Sequence, residues 1–274
     1  DEYVIGEIRR GLEAAGVPVE FSKGEAGRGQ HEINLDYATA VEMADRNAVY
    51  KTAAKEIAAK LGRSVSFMAK YDFADTGSSC HIHSSLWSLD GREPRFAPEP
   101  GSHEMPPLFQ HYLAGLVATA REFCLLWAPT VNSYKRFQPG SWAPTGVAWG
   151  IDNRTLGFRV VGHGAASRVE CRIPGADANS YLAFAGTIAG GLYGIRNELP
   201  LEPAHVGNGY EDPDIARIPW NLPDAIALWR DSTIARECFG DDVHHHILTM
   251  AEAEWAAFNQ TVTDWELRRY WELI

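Results

Sequence analysis

Residues 167–186 read SRVECRIPGADANSYLAFAG, and the first half of that stretch decides what kind of fold the chain can have. Alternate side chains of a strand leave on the same face, so Arg168, Glu170 and Arg172 share one side while Val169 and Cys171 take the other. Three charged residues on one strand face are not a core. A carboxylate between two arginines reads either as a salt-bridged surface ladder or as part of a charged pocket. From Asn179 the pattern turns helical.

Working outward, strand-like runs occur at SVSFMAKYDF (64–73), CHIHSSLW (80–87), GVAWGI (146–151) and LGFRVV (156–161). Val41, Tyr50, Ala54, Ile57 and Leu61 recur at helical spacing before Gly62, a helix terminator. A proline- and charge-rich loop over 90–107 precedes a second long helix ending near Trp127, and amphipathic helices fill 223–274. Strands and helices do not alternate regularly, and no repeat or linker divides the chain. The pattern predicts one α+β domain of antiparallel-looking strands flanked by helices, over residues 1–274.

With 274 residues, 45% hydrophobic and 22% charged, the chain is long enough to bury a sizeable core. Its formal charge of -11 argues against a nucleic-acid binder, which needs clustered lysine and arginine. No apolar run reaches the roughly 18 residues of a membrane span. Cys80, Cys124, Cys171 and Cys238 lack the close pairing of a zinc site and suit a reducing cytoplasm.

Several residues could carry chemistry. Glu25 and Glu32 lie beside Gly27 and Gly29, where two carboxylates could hold a hard divalent cation or simply be solvated. His81 and His83 share one strand face, as ligands or as hydrogen-bonded structural groups. Arg136, Arg154 and Arg159 add cations suited to phosphate and carboxylate groups. GHGAAS (162–167) imitates a dinucleotide-binding turn, but a strand rather than a helix follows it. His244, His245 and His246 point about 100° apart on a helix and read as solvated surface. Trp220, Trp229, Trp255, Trp265 and Trp271 read as packing between C-terminal helices.

Six stretches in order, EAGRGQHEINL, GSSCHIHSSLW, VNSYKRFQPGSWAP, DNRTLGFRVV, SRVECRIPGADANSYLAFAG and VTDWELRRYWE, resemble the catalytic domain of the glutamine synthetase superfamily. The resemblance implies an ATP-dependent ligase in which glutamate is phosphorylated on its side-chain carboxylate and the γ-glutamyl phosphate is attacked by an amine. It implies that Glu25 and Glu32 hold one divalent metal, Mg2+ or Mn2+, and that His81 and Glu170 hold a second. By the same resemblance Arg136 binds the α-carboxylate of glutamate, Gly77 offers it a backbone contact, and Arg172 lies near the reacting carboxylate. Arg154 and Arg159 would face phosphate, and His83, Arg168, Tyr37 and Ser85 would contact ATP. The resemblance further implies a curved antiparallel sheet flanked by helices and a homo-oligomeric ring, a dodecamer.

This sequence departs from the ammonia-using members in three ways. Trp142 stands six residues after Arg136, where those members carry a glutamate that attracts ammonium and accepts its proton. An indole does neither, so an organic primary amine such as ethanolamine or a polyamine is expected as nucleophile, and the sequence looks closest to γ-glutamylamide ligases. Thr76 replaces an asparagine beside the glutamate substrate. Neither the family's small β-rich domain nor its E-x-E strand is recognisable, since the one such motif, Glu252 to Glu254, lies in a helical context; the sequence is expected to begin just after that strand. The rivals are an ammonia-using glutamine synthetase and a non-catalytic homologue that binds glutamate or nucleotide.

Overall fold

The chain opens with helix α1 (Glu2–Ala14), which buries Val4, Ile5, Ile8 and Leu12 along one face. The sequence reading placed no element here, although that spacing is helical. Strands β1 (Val19–Gly24) and β2 (His31–Leu35) form an antiparallel hairpin in which Lys23 lies opposite Glu32. Helix α2 (Ala40–Lys60) follows the predicted period, and Gly62 continues the chain at a φ of 68° that only glycine adopts without strain. These four elements close a small core around Leu12, Val17, Ala54 and Ala58. This computed structural model describes residues 1–99, 101–102 and 104–273. Pro100 and His103 of the expected loop, and Ile274 of the expected 1–274 domain, lie outside the described residues.

A second and larger core rests on a four-stranded sheet of order β3-β6-β5-β4, from β3 (Ile82–Ser84), β4 (Gly146–Ile151), β5 (Leu156–Val161) and β6 (Arg168–Cys171). The sheet bears out the α+β class, and β6 runs antiparallel to both neighbours as expected. Strands β4 and β5, by contrast, run parallel, with Gly146 opposite Leu156 and Ile151 opposite Val160. Residues 64–73, expected as a strand, form no strand and join neither sheet. Their backbone groups are occupied otherwise: Lys70 N–H donates to the Asn132 side chain and the Ala69 carbonyl accepts from Ser78.

The helix expected to end near Trp127 is two: α3 (Pro107–Thr119) and α4 (Cys124–Trp127). The Thr119 hydroxyl bonds back to the Gly115 carbonyl at the break, a local competitor of helix continuation. Helix α5 (Ser180–Arg196) starts where Asn179 accepts from the N–H groups of Tyr181 and Leu182. It lies against α3 through a seam of glycines so close that a Cβ on Gly194 would stand 2.0 Å from the His111 carbonyl oxygen. Lys51 of α2 donates to the Ala178 carbonyl just before α5, joining the two cores.

The C-terminal part is helical as expected: α6 (Leu222–Asp231), α7 (Thr233–Asn259), bent at Gly240, and α8 (Asp264–Tyr270) with a Thr263–Glu266 capping box. Two expectations here fail. His244 is buried, stacked on Trp229 at 5.4 Å, and its Nε2–H donates to the Trp229 carbonyl over 2.7 Å. Trp229 is core and Trp255 packs partly buried against it, but Trp220, ahead of α6, and Trp265 and Trp271, in and just after α8, stand exposed on this chain; α8 buries none of its residues. Among the described residues no helix is long and apolar enough to cross a membrane.

Candidate active site

Strand register assembles the centre of the site. His83 on β3 lies opposite Glu170 on β6, and Glu170 lies opposite Arg159 on β5, so three strands present an imidazole, a carboxylate and a guanidinium in one row. Arg172, two residues beyond Glu170, returns to the same face. Its Nη1 donates to Glu170 Oε1 over 2.7 Å, Arg159 Nη1 donates to Oε2 over 2.9 Å, and His81 Nδ1 stands 3.0 Å from Oε1. Glu170 and Arg172 are buried, so the surface-ladder reading of this strand does not hold.

Burial alone would raise the Glu170 carboxyl. The hydrogen bonds from His81 and Arg159 and the charge of Arg172 overrule it and hold the group ionised, well below the usual carboxylate range. Burial pushes His81 down to about 4, so at neutral pH it is an uncharged ring whose Nδ1–H donates to Glu170. That tautomer leaves Nε2 with a free lone pair, the arrangement of a metal-binding histidine oriented by a carboxylate. His83 is likewise lowered by burial, and Arg168 Nε donates to its Nδ1 over 3.1 Å.

Arg136 lies beneath this row. It is 2% exposed, and its charge meets no carboxylate among the described residues; one Nη donates to the carbonyls of Arg172 and Ile173. Its stem packs on Gly77, where a Cβ would stand 2.6 Å from Arg136 Cγ. Thr76, next to Gly77, is held through its N–H by Asp75. Gln30, which sequence reasoning passed over, ties this loop to the β1–β2 hairpin: its Nε2 donates to the Gly77 carbonyl over 3.0 Å and to Ser78 Oγ over 3.1 Å.

The hairpin brings Glu25 and Glu32 together around Lys23, whose Nζ lies 2.9 Å from Glu25 Oε1 and 3.5 Å from Glu32 Oε1. Burial raises the Glu25 carboxyl, but hydrogen bonds with Lys23 and Glu32 win, and it is lowered overall. Among the described residues no three His, Cys, Asp or Glu side chains converge on one point. The donors still suit divalent cations in kind: an ammonium already sits between Glu25 and Glu32, and His81 presents a neutral nitrogen. Glu170 differs, since both of its oxygens are engaged by arginine, and it would ligate only if Arg159 or Arg172 let go.

The other expected residues are less gathered. Arg154 is exposed at the β4–β5 connection and lines an open cleft of about 440 Å³ with Asp152, Asn153 and His205. Ser85 accepts from the Trp87 indole, and Tyr37 is 92% exposed, in contact with none of the central row. Trp142, on the flap that runs from Gln138 to Thr145 ahead of β4, is 61% exposed, and its backbone carbonyl accepts from Arg172 Nη2 over 3.1 Å.

Comparison with known proteins places this arrangement. A family model described as "Glutamine synthetase, catalytic domain" matches residues 1–270. The chain is 51% identical over 271 residues to gamma-glutamylethanolamide synthetase GlnA4 of Streptomyces coelicolor, covering 99% of this chain and 57% of that protein. It is 40% identical to the glutamate–isopropylamine ligase of a Pseudomonas species, covering 99% of this chain and 60% of the other. The solved structure "GmaS/ADP complex-Conformation 1" superposes with a TM-score of 0.89 at 30% identity, over 98% of this chain and 64% of that one. The chain thus spans between half and two thirds of the length of the relatives it matches.

Proposed function

Because the chain belongs to the glutamine synthetase catalytic-domain family, we propose that it carries the catalytic machinery of an ATP-dependent ligase joining the γ-carboxylate of glutamate to an organic primary amine, of which ethanolamine is the leading candidate. The observation that carries this reading is Arg136, a buried guanidinium without a carboxylate of its own, beside the glycine-lined loop at Gly77 and under the Arg159–Glu170–Arg172 row. Burying a cation with no carboxylate in contact is costly; the charge of Asp177 offsets part of that cost, and an anionic substrate group in contact offsets more. The α-carboxylate of glutamate meets the need, with Gly77 and Thr76 at its backbone end.

In the first step a γ-carboxylate oxygen attacks the γ-phosphorus of ATP, and the bond to the β-bridging oxygen breaks to release ADP. Arg154, Arg159 and Arg172 offset the repulsion between carboxylate and phosphate and steady the transferring group. His83, Ser85, Arg168 and Tyr37 attend the nucleotide. Glu25, Glu32, His81 and Glu170 would hold divalent cations, magnesium or manganese, whose charge when bound neutralises phosphate oxygens. In the second step the amine nitrogen adds to the acyl carbon, phosphate leaves with the bonding pair, and the departing phosphate takes the proton.

Two features support an organic amine over ammonia. Trp142 supplies no carboxylate for ammonium, and its exposed indole offers an apolar wall or a cation–π face to an alkylamine. The two relatives described above are named for amide ligation to ethanolamine and isopropylamine, at 51% and 40% identity, against 38% for a type-1 glutamine synthetase of Dictyostelium discoideum. We further propose that the intact protein is a cytoplasmic homo-oligomeric ring, which the exposed Trp265 and Trp271 of the C-terminal arm support. The test is phosphate release from ATP and glutamate by the full-length protein with ammonium, ethanolamine, putrescine, spermidine and monoamines in turn, with product masses. Release with one organic amine but not ammonium is expected; release driven best by ammonium, or silence with every amine, overturns the proposal.

A further inference from the structure

Trp142 combines two features that rarely coexist: a left-handed backbone, φ 63°, and a bulky apolar side chain that is 61% exposed. A non-glycine residue in that region is strained and persists only where its surroundings over-determine it. Two flanking carbonyls show what does so. The Trp142 carbonyl accepts from Arg172 Nη2 over 3.1 Å, and the next one, Ala143, accepts from the Tyr210 hydroxyl over 2.9 Å. Arg172 belongs to the central row. Tyr210 comes from a different part of the chain, the strap between α5 and α6.

The strap is a firm base for such a contact. Gly209 N–H donates to Thr155 Oγ1 over 2.8 Å, and a Cβ on Gly209 would stand 2.3 Å from Leu156 Cδ2, so the residue before Tyr210 is clamped onto β5. Arg217 then staples the strap to itself and to the flap's far end, its Nη1 donating to the Gly209 carbonyl over 3.0 Å and to Thr145 Oγ1 over 3.2 Å. Backbone bonds from Ile218 N–H to the Thr145 carbonyl and from Val147 N–H to the Ala216 carbonyl continue the seam into β4. Between Thr145 and the Ser141 hydroxyl, which bonds back to the Gln138 carbonyl over 2.6 Å, Ala143 is buried in the larger core, and the side-chain hydrogen bonds onto the flap among the described residues come from Arg172 and Tyr210.

We propose that Tyr210 is the positioning residue of the amine flap: its hydroxyl, with Arg172, sets the strained backbone that aims the Trp142 indole at the incoming amine. The inference rests on the ligase reading and adds a specificity-determining contact from outside the charged row. Because Arg172 serves both Glu170 and the flap, Tyr210 is the side-chain hydrogen bond to the flap that remains when Arg172 turns to substrate. Its removal therefore affects the amine step and spares glutamate and nucleotide.

The test uses Tyr210→Phe in the full-length protein, which keeps the ring and deletes one hydrogen bond. Loss of a bond of this kind is expected to raise the KM for amine about tenfold, with the KM values for glutamate and ATP staying within about twofold. Amide hydrogen exchange over residues 141–145 is expected to quicken about tenfold by the same loss. In a Trp142→Gly background, where the strain and the indole are both gone, Tyr210→Phe should leave the amine KM unchanged. Equal shifts in all three KM values, an unmoved amine KM, or a Tyr210→Phe effect that survives undiminished in Trp142→Gly would overturn the proposal. If the parent turns over no amine, the ligase reading has failed, and the exchange measurement still decides: unaltered protection of 141–145 in Tyr210→Phe removes the clamp.

Discussion

Arg136→Met separates a group kept for a ligand from a group kept for the fold. Burial pulls the Arg136 guanidinium down to about 10 from an ordinary 12.5. For a side chain 2% exposed, that difference corresponds to a penalty on the charged form of about 3 kcal/mol. Methionine keeps the stem that packs on Gly77 and removes the charge. Against the gain stand the hydrogen bonds to the Arg172 and Ile173 carbonyls, about 1 kcal/mol each, and stacking on Phe137, whose ring centroid lies 4.9 Å from the guanidinium carbon. The terms nearly cancel, so the unliganded variant is expected within about 1 kcal/mol of the parent. Urea unfolding midpoints of both proteins measure this. Thermal shift with glutamate and a non-hydrolysable ATP analogue measures the other half: the parent should gain stability with glutamate by mass action, and the variant should gain none. A loss of more than about 3 kcal/mol, the scale of a broken buried ionic network, would show Arg136 to be a structural node and remove the main support for an anionic substrate there.

Three further outcomes are expected. Trp142→Glu should confer phosphate release with ammonium and weaken use of alkylamines, read in the same coupled assay; an unchanged amine ranking would mean this side chain does not set it. Lys23→Met removes the cation that competes for Glu25 and Glu32, a half-exposed contact worth about 0.5–1 kcal/mol, so calorimetry should find divalent metal bound a few fold more tightly. Gly194→Ala pits propensity against packing: alanine gains about 1 kcal/mol of helix preference, but its methyl would stand 2.0 Å from the His111 carbonyl and 2.6 Å from Gly115 Cα, both backbone that cannot swing aside. Overpacking of about 3 kcal/mol or less still wins, and a melting temperature lower by several degrees is expected, whereas a rise would mean α3 and α5 part at little cost.

What the sequence determined by itself depends on periodicity and order. Alternation along β6 put Arg168, Glu170 and Arg172 on one face, the apolar period predicted α2, and six ordered stretches identified the family, because strand and helix geometry convert spacing directly into facing. Tertiary structure alone decided what each face meets. Nothing local marks His244 as the buried one of three histidines; Trp229 stacking on it does. The parallel pairing of β4 and β5, and the unpaired course of 64–73, depend on which partner reaches each backbone first. Glu170 is readable as a carboxylate between arginines, but its third hold comes from His81, 89 positions earlier in the chain. Tyr210 was invisible for the same reason: a hydroxyl that anchors a flap 67 residues away leaves no periodic trace, and only the folded chain brings donor and carbonyl within bonding distance.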